Sequence, residues 1–236
     1  MPHWLRPGRE YLPLPTKIVL ASGNAGKLRE IKRILADLGV EIIAQSELGV
    51  SDADETGGTF VENALIKARH AAVATGLPAI ADDSGLVVEA LDGAPGVKSA
   101  RYAGENAGDQ DNINKLLKEL EGKSNRQAAF KCVLSIAVPS GPALTYEGRC
   151  EGEIALQPRG HKGFGYDPVF YYPAYGKTFA EISGTEKNRV SHRGRALAEF
   201  VSEFDKVLAW LNARLTEAKP PKPDHTEFEH NDWSEG

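Results

Sequence analysis

The sequence predicts an α/β protein, a mixed β-sheet flanked by helices. Lys17–Ala21, Val40–Ala44 and Leu77–Val88 are apolar runs of strand length, separated by segments with helical periodicity. Gln127–Val138 and Leu144–Leu156 alternate on either side of Pro139-Ser140-Gly141-Pro142, the pattern of a long antiparallel hairpin. A β-α-β-α-β opening followed by a helix and a hairpin is best accommodated by a sheet with both parallel and antiparallel pairs.

The first strand runs into Ser22-Gly23-Asn24-Ala25-Gly26-Lys27. A helix follows with Leu28, Ile31, Ile34, Leu35 and Leu38 on one side, stopped by Gly39. Strand, glycine-bearing turn and helix N-terminus present backbone N–H groups to an anion. A plain turn with Lys27 in solvent has the same composition. The turn is not a Walker A loop, which needs Gly and Ser or Thr where the chain has Ala21 and Leu28. Ser51–Gly58 is an acidic loop with Asp52, Asp54 and Glu55. Thr59-x-x-Glu62 is a capping-box signature for a helix that reaches Thr75, with Phe60, Ala64, Ala68 and Ala71 on one face and Gly76 as its stop. Lys67 falls close to that face, either as a snorkelling stem or reaching into a cleft.

In Leu77–Val88 the apolar run is interrupted by Asp82-Asp83-Ser84-Gly85 and then resumes. Neighbouring side chains on a strand point to opposite faces, so Asp82 and Asp83 have different surroundings. Carboxylates at the end of a buried strand suit a hard cation such as Mg²⁺; a turn in which Asp and Ser bond local amides fits the same residues.

Beyond it, Gly93–Gly96 turns the chain, Ser99–Tyr102 leads into a loop, and Asp109 is placed to cap a helix carrying Ile113, Leu116, Leu117 and Leu120. Gly160, Gly163, Phe164, Gly165, Tyr166, Asp167 and Pro168 form a stiff aromatic loop, which either stacks on a flat ring or plugs its own rings into the core. Lys187, Arg189, His192, Arg193 and Arg195 cluster before a helix with Leu197, Phe200, Phe204, Leu208 and Leu211; a solvated basic face is the ordinary meaning of such a cluster.

With 236 residues the chain can bury a full core. Residues 217–236 hold six acidic and two basic side chains and so most of the formal net charge of −5. The body is near neutral and offers no basic nucleic-acid surface. That Pro-rich tail reads as disordered, residues 1–16 as an N-terminal extension, and residues 17–216 as the functional domain. Cys132 and Cys150 lack CxxC spacing, so neither zinc nor a disulfide is expected. No apolar run is long enough for a membrane span, and the opening residues lack a secretory signal. The expected compartment is the cytoplasm.

Five stretches occur together and in order: Ser22-Gly23-Asn24-x-x-Lys27, Ala81-Asp82-Asp83-Ser84-Gly85-Leu86, Gly93-x-Pro-Gly-x-x-Ser-Ala-Arg-Tyr102, Phe164-Gly-Tyr-Asp-Pro168 and Ser191-His192-Arg193. Their series resembles the Ham1-like inosine/xanthosine triphosphate pyrophosphatases. The resemblance implies an elongated mixed sheet with two lobes around a central cleft, and a homodimer. It also implies hydrolysis of 6-oxo purine nucleoside triphosphates (ITP, dITP, XTP) to monophosphate and pyrophosphate. On that resemblance Asp83 is the general base and, with Glu55, holds Mg²⁺. Ser22, Gly23, Asn24, Ala25, Gly26 and Lys27 cradle the triphosphate with Lys67 nearby, and Ser84 touches substrate. Phe164, Gly165, Tyr166 and Asp167 form the base loop, and Lys187, His192 and Arg193 supply the remaining contacts.

Attack of water at the α-phosphorus expels pyrophosphate and needs positive charge on the leaving group. A donor such as Arg193 or an amide facing O6 would be left unpaired against adenine. A non-catalytic nucleotide-binding module would share the cradle, but carboxylates beside a triphosphate repel it unless a metal intervenes, which favours an enzyme.

Overall fold

The computed structural model describes residues 17–217. The expected N-terminal extension and, from 218 on, the acidic tail lie outside the described residues. Seven strands form one mixed sheet: β1 (Lys17–Ala21), β2 (Glu41–Ala44), β3 (Ala79–Val88), β4 (Gln127–Ala137), β5 (Ala143–Ile154), β6 (Phe170–Tyr172) and β7 (Lys177–Thr178), in the order β2-β1-β3-β4-β5-β6-β7. β1 is parallel to β2 and β3, and every later pairing is antiparallel. Helix α1 (Ala25–Leu35) connects β1 to β2 and α2 (Phe60–Thr75) leads into β3. α3 (Asp109–Glu119) precedes the hairpin, and α4 (Gly184–Val190), α5 (His192–Ser202) and α6 (Phe204–Glu217) close the described chain.

Local signals set most boundaries. Gly39 adopts φ 71° after α1, and the Thr59 and Glu62 side chains cap α2 reciprocally. The first turn of α3 departs from expectation: Gly108 occupies the cap position, and Asp109 is the first helical residue. The single helix expected after Arg195 is two, α5 and α6, parted at Glu203 with no Gly or Pro to announce the break.

Strand alternation sorts the core. Ile18, Leu20, Ile80, Leu134 and Ile136 pack on one face against Ile31 and Leu35 of α1, Leu197 and Phe200 of α5, and Val207 and Leu211 of α6. On the other face Val19, Ala21, Ala79, Ala81 and Ala137 meet Ala68, Ala71 and Ala72 of α2, small residues that let helix and sheet approach closely. A further cluster gathers Leu86, Val88, Phe130, Cys150 and Ile154 with Ile113 and Leu116 of α3 and with Phe170 and Phe179. Both cysteines are buried free thiols. No helix among the described residues is long and apolar enough to cross a membrane.

β3 is not broken at its acidic pair. It pairs with β4 continuously from Ala79 to Val88, whereas its pairing with β1 stops at Ala81. The strand that ends here is β1, and the Ser22–Lys27 turn begins where Asp82 and Asp83 lose their neighbour on that side.

α5 lies tightly on β5 at Gly148, where an added Cβ would overlap the His192 carbonyl oxygen and lie 2.8 Å from the Ala196 nitrogen. Gly148→Ala must push the helix off the sheet, and overpacking of this kind typically costs about 1–3 kcal/mol. The expected result is a lower Tm; an unchanged Tm would show that α5 does not depend on this contact.

Candidate active site

The even-numbered face of β3 carries Asp82 and Ser84 into a buried ion cluster. The Asp82 side chain is wholly buried and accepts Lys27 Nζ from α1 at 2.6 Å and Arg193 Nε from α5 at 3.1 Å. Cys132 Sγ donates to it at 3.0 Å and Ser84 Oγ at 3.1 Å. Arg193 also donates to Glu30 at 2.6 Å and to Ser84 Oγ at 2.9 Å. Glu30 in turn takes Lys187 Nζ at 3.0 Å, and Lys187 reaches Asp167 at 2.6 Å. Burial alone would raise the Asp82 carboxyl, but the Arg193 guanidinium and Lys27 ammonium hold it well below the usual carboxylate range. For Asp167 burial prevails over Lys187 and the carboxyl is raised.

The basic cluster is therefore divided. Lys187, His192 and Arg193 are buried, and only Arg189 and Arg195 form the solvated face. Glu30, to which Lys187 and Arg193 both bind, carried no signal beyond its place one turn after Lys27 on α1.

Of these groups Lys27, Ser84, Asp167, Lys187, His192 and Arg193 form one wall of a pocket of about 210 Å³, also lined by Asn24, Phe164, Gly165 and Tyr166. The aromatic loop sends its two rings different ways. Tyr166 is a core residue whose hydroxyl donates to the Ser99 carbonyl at 2.9 Å. Phe164 lies in the pocket over Gly26, where an added Cβ would come within 2.7 Å of its ring, and Lys187 Nζ is 4.6 Å from the ring centroid. His192 stacks on Phe130 with centroids 4.6 Å apart. Burial, reinforced by Arg193, pushes its imidazole well below the ordinary histidine value and keeps it neutral, and its buried Nδ1 has no partner among the described residues.

Asp83 points to the opposite face, towards α2. Lys67 does not snorkel; its Nζ joins Asp83 Oδ1 at 2.6 Å and Glu55 Oε1 at 2.8 Å. Arg101, absent from the expected site residues, donates to Glu55 at 3.2 Å. Burial raises the Asp83 carboxyl despite Lys67. At Glu55 burial is outweighed by Lys67 and Arg101, and the carboxyl is lowered. Two carboxylates pushed apart in this way can divide acid–base roles.

Ser22, Gly23 and Asn24 form the turn between the two sides, and Ala25 and Gly26 begin α1. The Asn24 side chain accepts the Gly26 and Lys27 amides at 2.8 and 3.0 Å, and Ser22 Oγ takes the Asn24 amide at 3.2 Å. An anion bound there would compete with these caps for the same N–H groups.

Removing Asp82 takes the carboxylate from Lys27 and leaves Arg193 with Glu30 alone; breaking a buried pair in this way costs about 3–5 kcal/mol. A folded pKa below the unfolded value of about 3.9 means the stabilisation is complete above that pH and is lost as pH falls through the folded pKa. Asp82→Asn is expected to unfold at lower denaturant at pH 7, with the gap to wild type narrowing below about pH 4. A gap that stays constant on acidification would contradict this assignment.

The profile of the Ham1 family matches residues 18–203. A dITP/XTP pyrophosphatase of Desulfotalea psychrophila is 59% identical over 218 residues, covering 92% of this chain and 98% of its own. Another, from Syntrophobacter fumaroxidans, is 56% identical over 201 residues, covering 85% and 87%. The solved structure of a HAM1 protein from Coxiella burnetii superposes with a TM-score of 0.72 at 51% identity, covering 86% of this chain and 99% of that one. With its mixed sheet and the acidic pair on β3, the chain belongs to the Ham1 family.

Proposed function

We propose that this protein hydrolyses 6-oxo purine nucleoside triphosphates such as ITP, dITP and XTP to the monophosphate and pyrophosphate. The observation that carries the reading is the arrangement across β3. Where β1 ends, one face of the strand meets a pocket with an aromatic ring and a neutral histidine, and the other meets a carboxylate pair beside a lysine. A nucleotide lying across the open edge at Asp82–Ser84 reaches both, with its base on the Phe164 side and its phosphates beside Asp83. On this reading the apolar clusters flanking the charged band are two lobes, and the band floors the cleft between them.

Within the pocket Arg193 is committed to Asp82, Glu30 and Ser84. The groups left for the base are the third N–H of Lys187, the second N–H of Arg193 Nη1 and the unpartnered His192 Nδ1. Donors that face a 6-oxo group are left opposed to adenine's 6-amino group, which discriminates strongly.

The carboxylate pair fits Mg²⁺, which is commonly held by one or two carboxylates with substrate phosphates completing its shell. Lys67 already places a cationic group between Glu55 and Asp83. Among the described residues no set of three or more His, Cys, Asp or Glu side chains could hold a metal, so phosphate oxygens would be needed as ligands. When bound, Mg²⁺ neutralises charge on the phosphates. Asp83 accepts the proton of the attacking water, and the α–β phosphoanhydride bond breaks with pyrophosphate leaving. Lys27 and Lys67 stand near enough to take up negative charge once released from their carboxylates. Residues 17–216 constitute the catalytic domain on this reading, in a cytoplasmic homodimer, with residues 1–16 and 217–236 as appendages.

Incubation with ITP and Mg²⁺ is expected to yield IMP and pyrophosphate. IDP with phosphate would place cleavage at the β–γ bond, and absence of product would leave a binding module. Phe164→Ala should weaken ITP binding by about 1–3 kcal/mol, the worth of one stacked base; wild-type affinity in that variant would move the base site elsewhere.

A further inference from the structure

The loop that carries Phe164 hangs from a bracket across the pocket. Asp109 is the first residue of α3, but its side chain does not serve that helix: Gly108 is the cap, and Asp111 accepts the Gly108 amide at 3.0 Å. Asp109 Oδ2 instead accepts the N–H of Gly165 at 2.6 Å, from a residue 56 positions away. Gly165 has φ 59° and is the pivot between Phe164, which enters the pocket, and Tyr166, which enters the core. Asp109, Phe164 and Gly165 all line the pocket.

The bracket is fixed independently of the loop. Asn112, 3% exposed, accepts the Ala103 amide at 2.7 Å and donates to the Ala100 carbonyl at 3.1 Å. Lys115 donates to the Tyr102 carbonyl at 2.8 Å. The same segment accepts the Tyr166 hydroxyl at Ser99. Of the two ties from bracket to loop, the Tyr166 tie is buried, whereas the one at Asp109 is exposed. Releasing the exposed tie frees the Gly165 amide while Tyr166 stays anchored, and leaves Phe164 held by the bond from its amide to Asp167 Oδ2 at 3.0 Å.

We propose that Asp109 is a positioning residue for the base loop, holding Phe164 in its binding-competent orientation and so governing substrate binding rather than the chemical step. The proposal rests on the nucleotide reading above. Without the tie, the free protein spreads over loop conformers, and apparent affinity falls by the fraction that remains competent. Turnover of the bound complex stays unchanged.

Asp109→Ala is expected to raise KM for ITP about tenfold, the scale of one charge-assisted hydrogen bond, with kcat within about twofold of wild type. Asp109→Asn, whose amide oxygen still accepts, should recover KM to within about threefold. Hydrogen exchange at the Gly165 amide, followed by NMR, should accelerate in Asp109→Ala and not in Asp109→Asn. Unchanged KM and exchange in the alanine variant would overturn the proposal. So would equal behaviour of the two variants, or a fall in kcat and Tm at constant KM, the mark of a helix-start role alone. If the wild type does not turn over ITP, the nucleotide reading fails, and the exchange comparison still decides whether Asp109 holds the loop.

Discussion

The Asp82 carboxylate lies out of reach of water, with Lys27 from α1 and Arg193 from α5 converging on it. Through Arg193 it connects to Glu30, Lys187 and Asp167, and so to α4 and the aromatic loop. Ions removed from solvent are tolerated when paired and hydrogen-bonded. Each of these elements therefore supplies the partner that lets its neighbours bury a charge. The Ser22–Lys27 turn, the basic segment and the aromatic loop come from distant parts of the chain and are held in mutual register by this network. The apolar clusters on either side lack the polar specificity to set that register alone.

The network also limits what the pocket can bind. Lys27, Lys187 and Arg193 are balanced by Asp82, Glu30 and Asp167, so this side suits an uncharged ring. On the other side of β3, Lys67 and Arg101 are balanced by Asp83 and Glu55. A triphosphate brought there adds negative charge to a balanced set, which is the electrostatic reason the proposed reaction calls for Mg²⁺. Neighbouring carboxylates on one strand thus have opposite thermodynamic roles. The fold favours ionised Asp82 over its neutral acid, and disfavours ionised Asp83 relative to the unfolded chain.

Features governed by near neighbours were readable in advance: the strand–turn–helix opening, the Thr59 capping box, the β4–β5 hairpin and the opposite facing of Asp82 and Asp83. What escaped depends on pairings far apart in sequence. β3 continues through its acidic pair because β4, more than 40 positions on, satisfies its backbone. Lys187, His192 and Arg193 look like a solvated basic face because composition cannot show that Glu30 lies 157 positions from Lys187, or Asp82 111 from Arg193. Glu30 had no local mark of function, Arg101 was marked only by its place in the Gly93–Tyr102 stretch, and β6 and β7 are too short to carry a period.

The proposed division of labour has Asp82 maintain the structure while Asp83 accepts the proton. It is tested most directly by Asp83→Asn, assayed for ITP turnover at saturating Mg²⁺ with Tm measured on the same sample. Because the fold disfavours the Asp83 charge, a neutral isostere should retain the wild-type Tm, while turnover falls by about 10²–10⁴, the range for loss of a general base. A folded Asp83→Asn protein that keeps more than roughly a tenth of wild-type turnover would contradict the account.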